Sequence, residues 1–311
     1  MTTMNRSSEQ RKKIALIGLL SAPTIFLFIF FVCPLIIMVL YSWLTPGLYG
    51  GVEWQLSTLN YGRIFGWADT KYERFDPVYI QIFLNSVRLA ATTALLSLVV
   101  CYPVAFWVAK LPESQKNFVI FLITLPFFIS LIVRLFAWVL ILRPTGFLNQ
   151  ALMGAGLISR PLEIIFTDTA VIVGMVYVFI PFMFLPLYAS IEKLDDALME
   201  ASQDLGANRF QTFRRIILPM TLPGIIGGSI IVFIPSLGNF IVPSLLGGAK
   251  VVMIGNLIEQ QFLSARNWPF GSALGMMVMA AVLVLLMLYV RILSRDEEQT
   301  AAPAVKEGLD A

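Results

Sequence analysis

Between two long apolar runs of this sequence lies a stretch rich in charged side chains, residues 193–219. Asp195, Asp196, Glu200 and Asp204 stand in its first half, and Arg209, Arg214 and Arg215 in its second. Leu194, Leu198, Ala201 and Leu205 recur at the spacing that lines one face of a helix, with the acids on the remainder. Gly206 stands where that helix would end, because glycine tolerates the left-handed backbone of a C-terminal cap, and Asn208 offers an acceptor to start a second helix. Phe210, Phe213 and Ile217 repeat the design there, and Pro219 is expected to stop it. A short acidic helix, a glycine corner and a short basic helix present an apolar face that must pack on something, either a partner or a membrane surface.

The remaining chemistry is mostly excluded. Histidine is absent, which removes the commonest metal ligand and the side chain best suited to a proton relay near neutral pH, so no metal site is expected. Cys33 and Cys101 both lie in apolar stretches and read as small buried hydrophobes. No Gly-x-x-x-x-Gly-Lys-Ser/Thr phosphate loop occurs, and Gly247-Gly248-Ala249-Lys250 lacks its spacing. The chain is therefore expected to bind no cofactor; if ATP drives it, ATP and Mg belong to a partner. A formal net charge of +3 carries no nucleic-acid signal.

The elements that must position the charged stretch are apolar and long. Hydrophobic residues make up 58% of the chain and charged ones 13%, against about 25% charged in soluble domains. The expectation is an all-α integral membrane protein with six transmembrane helices and a helical cytoplasmic loop between the fourth and fifth. A first span lies in the uncharged run 14–52, preferred over a cleaved signal peptide because the run is so long. The others are Leu84 to Ala109, Phe118 to Leu142, Thr169 to Ile191, Leu222 to Leu246 and Gly271 to Val290, each near the ~20 residues a crossing needs. The membrane domain covers 14–293, with its core at 84–293; an arm at 1–13 precedes it, and a tail at 294–311 without apolar period is expected to be disordered. Thirteen Lys and Arg fall in the arm, the even-numbered turns and the tail, against seven in the opposite loops, which puts both termini and the 193–219 loop in the cytoplasm.

Within the spans, four residues are candidates for a translocation pathway: Arg134, Tyr177, Ser236 and Asn239. Arg134 is penalised by at least ~2.5 kcal/mol at a helix centre and is expected to face the bundle interior. Ser236 and Asn239 lie among Pro223, Gly224, Gly227, Gly228, Pro235, Gly238 and Pro243, which should keep the fifth segment from forming one straight helix. Unwound backbone in a membrane is tolerated only against protein or a water-filled cavity. Trp138, Tyr177, Phe179, Phe182 and Tyr188 add aromatic faces able to hold a cation.

Glu200-Ala201-Ser202, Gly206, Ile216 and Leu218-Pro219 match, at its spacing, the signature of the inner-membrane permease subunits of ATP-driven (ABC) importers; Ser202 replaces the usual second Ala. By that resemblance Glu200, Ala201, Ser202, Asp204, Gly206, Ala207, Ile216, Leu218 and Pro219 belong to a coupling helix that docks into a cleft on a cytosolic ATPase. Ser190-Ile191-Glu192-Lys193-Leu194-Asp195, Pro223-Gly224-Ile225-Ile226 and Arg266-Asn267-Trp268-Pro269-Phe270-Gly271 extend the likeness to the spermidine/putrescine permease branch. The resemblance implies a bacterial inner-membrane subunit working with a sister permease, two ATPase copies and a periplasmic polyamine-binding protein. No Asp or Glu falls within the predicted spans, so a polyamine would meet aromatic faces and neutral dipoles along this half of the path. The same absence counts against an ion-coupled secondary transporter, which needs an ionisable intramembrane group.

Overall fold

The computed structural model describes residue 16 and residues 18–21, 23–67 and 75–307, the side chains of residues 196 and 292–307 apart. The arm at 1–13 lies outside these residues. Six helical stretches are long and apolar enough to cross a membrane: Gly18–Ser42, Val78–Ala109, Leu131–Gly154, Asp168–Ile191, Arg209–Leu237 and Trp268–Arg291.

In chain order, a π turn at Phe28–Val32 leads into α1 (Cys33–Ser42), followed by the antiparallel strands β1 (Leu44–Pro46) and β2 (Val52–Leu56) and by α2 (Leu59–Ile64). The hairpin departs from an all-helical expectation. Its second strand alternates Val52, Glu53, Trp54, Gln55 and Leu56, a period of two that favours a strand. Next come α3 (Val78–Ala109), α4 (Glu113–Thr124), α5 (Leu131–Leu142), α6 (Phe147–Gly154) and α7 (Asp168–Ile191). The charged loop supplies α8 (Asp196–Asp204) and α9 (Arg209–Thr212), and the chain closes with α10 (Leu218–Leu237), α11 (Ile254–Leu263) and α12 (Trp268–Glu307).

Four sequence expectations change. The apolar run at 118–142 is not one helix: α4 gives way to a 3₁₀ turn at Leu125–Phe128, and α5 starts anew after Ser130. Pro126 has no N–H to continue the ladder. Arg134 therefore sits near the start of α5 rather than at the centre of a span. The fifth segment, conversely, is continuous through Pro223 and Pro235 and stops only at Gly238. Thr221 Oγ1 donates to the Ile217 and Leu218 carbonyls at 2.9 and 3.2 Å in the turn before Pro223, the usual back-bond of a threonine inside a helix. Pro219 does not end the basic helix, because a π turn at Phe213–Ile217 carries the chain directly into α10, with Pro219 as its second residue. Finally, the helix of the last span runs on to Glu307; the tail is polar but holds Glu297, Glu298, Ala301, Ala302 and Ala304, all good helix formers.

Two compact units emerge, residues 77–259 and the two flanking segments together. In the first, α3, α7 and α10 pack on one another. On α3 the buried residues Ala90, Ala94, Ser97, Cys101 and Ala105 form a small-residue stripe that lets helix backbones approach, the usual source of packing energy in lipid. Where α10 crosses α7, a Cβ on Gly224 would lie 2.6 Å from the Pro186 carbonyl oxygen, so only glycine fits. Met175, Met183, Phe184 and Leu187 of α7 fill the centre, joined by Leu89, Leu135 and Val232. Beyond Leu237 the chain leaves the helix, and Asn256 Nδ2 holds that segment by donating to the Phe240 carbonyl (3.1 Å) and to Ser244 Oγ (2.7 Å). In the second unit α12 packs on α1, and the buried Asn60 ties α2 to the end of α1 through bonds of 3.0 and 2.9 Å to the Ser42 and Leu44 carbonyls.

Candidate functional site

The charged loop is built by local capping at each step. Asp195 caps α8, its carboxylate accepting from the Ala197 N–H at 2.9 Å. At the other end Ala207 N donates to the Ser202 carbonyl (3.0 Å) and Gly206 N to the Gln203 carbonyl (2.9 Å), the paired bonds of a Schellman motif. Gly206 takes φ +83° there, as the sequence led one to expect. Nothing lies within 4 Å of the place its Cβ would occupy, so glycine is needed for the backbone angle and not for close approach of the helices. Asn208 then opens α9 with a capping box, accepting from Gln211 N (2.8 Å) while Gln211 Oε1 accepts from Asn208 N (2.9 Å).

One bond across the corner had no signal in the sequence. Ser202 and Thr212, both buried, share a hydrogen bond of 2.8 Å between their hydroxyls, so the residue that replaces the usual Ala clamps α8 to α9. The base of the loop packs on α3: the Tyr102 and Phe213 rings meet edge to face at 5.8 Å, and the Tyr102 hydroxyl bonds Thr221 at 2.9 Å. Ile217 is buried and Ile216, Leu218 and Ala207 are half-buried, whereas Glu200, Ala201, Asp204 and Pro219 are exposed. Among the described residues, nothing covers the apolar face of α8. Leu198 is 43% exposed, Leu205 89% and, on α9, Phe210 70%.

Two clefts of about 410 and 470 Å³ flank the loop and share Phe106, Lys110 and Met199; Lys116, Glu192 and Leu194 line the first, and Gln203, Arg209 and Thr212 the second. Lys116 Nζ bonds Glu192 Oε1 at 2.9 Å, and the Tyr188 hydroxyl donates to the same oxygen. Hydrogen bonds from Tyr188 and then Lys116 hold the Glu192 carboxyl below the ordinary carboxylate range.

Of the four pathway candidates, two are brought together. The Arg134 guanidinium lies over the Tyr177 ring, 5.8 Å from its centroid, and Trp138, one turn further along α5, meets that ring edge-on at 5.5 Å. Arg134 Nε is buried without a hydrogen-bond partner among the described residues. Ser236 is buried within the unit, its hydroxyl likewise unpartnered among the described residues. Asn239 is half-buried, and its side chain accepts from Val242 N at 2.9 Å in the segment after α10. Arg88 is ion-paired to Asp168, the first residue of α7. Because a desolvated cation–π contact is worth up to about 2 kcal/mol, Tyr177→Leu should slow transport several-fold, while Tyr177→Phe, which keeps the ring face, stays near the parental rate. Arg134→Leu should assemble and change transport. Uptake into vesicles at matched subunit levels reads both; parental rates for Arg134→Leu and Tyr177→Leu would remove the pair from the pathway.

Comparison with known proteins decides the family. Residues 102–297 match the family described as binding-protein-dependent transport system inner membrane component, a region that contains the whole of the loop. The chain belongs to this family. The permease is 40% identical over 265 residues to the spermidine/putrescine transport system permease protein PotB of Salmonella typhimurium (strain SL1344), covering 85% of this chain and 89% of that one. Its fold matches a chain of a bacterial ABC transporter that imports the acidic polysaccharide alginate, with a TM-score of 0.71 at 19% identity over 94% of this chain and 99% of the other. A second structure of a bacterial alginate transporter, in complex with a pentasaccharide-bound periplasmic protein, matches at a TM-score of 0.68 and 19% identity, over 90% of this chain and 94% of that one. The permease is thus a multi-pass inner-membrane subunit of an ABC importer, a transport component and not itself a catalyst.

Proposed function

We propose that this permease forms one half of the membrane pathway of a polyamine importer and that its loop at 193–219 receives the ATPase. It pairs with a sister permease, two cytosolic ATPase copies that carry ATP and Mg, and a periplasmic polyamine-binding protein. The observation that carries the coupling reading is the corner itself: two capped helices, clamped by Ser202 and Thr212, hold Leu205 and Phe210 out in solvent. An apolar pair held rigidly in water fits a pocket on a partner better than a role in this chain's own core. Glu200, Ala201, Asp204 and Ala207 surround that tip, and Ile216, Leu218 and Pro219 join it to α10. The excess of Lys and Arg on this side supports a cytoplasmic position for the loop and both termini.

The substrate reading is supported by the PotB relatives and by the aromatic character of the half-buried positions Tyr177 and Trp138. The assembled transporter in sealed vesicles, with its binding protein outside and ATP inside, should accumulate spermidine or putrescine in preference to an amino acid or a sugar. Equal indifference to both polyamines, with uptake of another solute, would overturn the substrate and leave the importer.

A further inference from the structure

The ion pair between Lys116 and Glu192 corrects two helices at once. Lys116 stands in the opening turn of α4, where the positive end of the helix dipole disfavours a cation. Glu192 is the C-cap of α7, where the negative end disfavours an anion, and the last turn of α7 holds no basic residue of its own. Each is misplaced on its own helix and well placed on the other's. Lys116 supplies the cation that the end of α7 lacks, and Glu192 brings a carboxylate to the start of α4. The lysine side chain is only 16% exposed, unusual for a residue that is rarely withdrawn from water unless paired. The Tyr188 hydroxyl, one turn back on α7, donates to the same carboxylate oxygen.

The position of this group gives it a role. Glu192 is the last residue of α7's cap; Leu194 N then bonds back to the Ile191 carbonyl, and Asp195 already caps α8. The carboxylate therefore sits at the joint through which the loop is attached. On the other side, α4 is bound to α3 by a tight turn at 110–112, in which Leu111 N donates to the Val108 carbonyl at 3.1 Å. We propose that Lys116, Glu192 and Tyr188 form a strut that makes α4 follow the loop, so that Glu192 is a positioning residue for coupling. The strut rests on the reading of the loop as the ATPase-facing element. A push on α8 is then delivered to α4 as well as to α7 and α10.

The test uses the assembled transporter with its ATPase and binding protein. Glu192→Gln and Lys116→Glu should each lower ATP hydrolysis stimulated by loaded binding protein by roughly tenfold while the ATPase stays bound. The exchange of both charges, Lys116→Glu with Glu192→Lys, should recover stimulation to within about twofold of the parent, since it remakes the pair and places each charge correctly on its own helix as well. A merely structural role is separated by measuring the amount of each variant in the membrane. If a single variant fails to accumulate, Tyr188→Phe, which removes one hydrogen bond and no charge, carries the test and should lower stimulation by about threefold. Parental stimulation in the single variants, or an exchange no better than Lys116→Glu alone, would overturn the strut. Leu205→Asp run alongside separates the two readings: if it releases the ATPase while the strut variants behave as the parent, the strut alone is wrong, and if it leaves binding and stimulation intact, both are wrong.

Discussion

Leu205→Asp is expected to weaken retention of the ATPase by about thirtyfold or more, the loss typical of a buried anchor worth ~2 kcal/mol at an interface. Leu205 is 89% exposed and closes α8, so its replacement removes nothing from the fold of this chain. The aspartate would lie beside Asp204 and leave an unpaired charge to be desolvated on docking. Phe210, 70% exposed at the start of α9, should behave alike when changed to Ala. The measurement is the affinity of the purified ATPase for the permease pair in nanodiscs, with insertion of the six spans checked in parallel. Parental affinity would show that the tip is not the contact.

Gly206→Val should leave the spans inserted and abolish the stimulation of ATP hydrolysis by loaded binding protein. At φ +83° a residue with a branched Cβ costs about 1 kcal/mol or more, and relief comes by giving up the bonds from Gly206 and Ala207 to the Gln203 and Ser202 carbonyls. The corner then turns Leu205 and Phe210 to new directions. Because the space around Gly206 is empty, the penalty lies in the backbone alone, which fixes the order of effects. Gly206→Asn, tolerant of the left-handed region, should retain most of the stimulation, and Gly206→Ala should fall between. A severe defect in Gly206→Asn would point instead to a steric role on the partner.

The parts of this architecture that were legible are those set by neighbours in sequence. The glycine corner, the Asn208 cap and the acidic helix all depend on residues within one or two turns, and each forms where its spacing places it. Prolines were less readable. Pro126 breaks its helix, whereas Pro223 and Pro235 are carried through theirs: the chain after Pro126 turns extended at Ile129 and Ser130, while α10 keeps helical geometry past both prolines. Contacts between distant residues carried no trace. Ser202 and Thr212 are ten residues apart on different helices, and Lys116 and Glu192 are separated by the whole of α5 to α7. The apolar face at Leu198, Ala201 and Leu205 reads in the sequence as a surface needing cover, and the fold shows that the described residues leave it open.

That open face is where the account is most directly tested. In the assembled transporter, Leu205→Cys is treated with a short thiol-to-amine cross-linker in a chain whose Cys33, exposed where its apolar stretch suggests burial, is replaced by Ser, Cys101 being buried as expected. A covalent product containing permease and ATPase is predicted, lost when the ATPase is omitted and absent for a Cys placed at the exposed Trp54 in β2. A transporter that turns over ATP normally but yields no permease–ATPase product from position 205 would contradict the assignment of this loop as the coupling element.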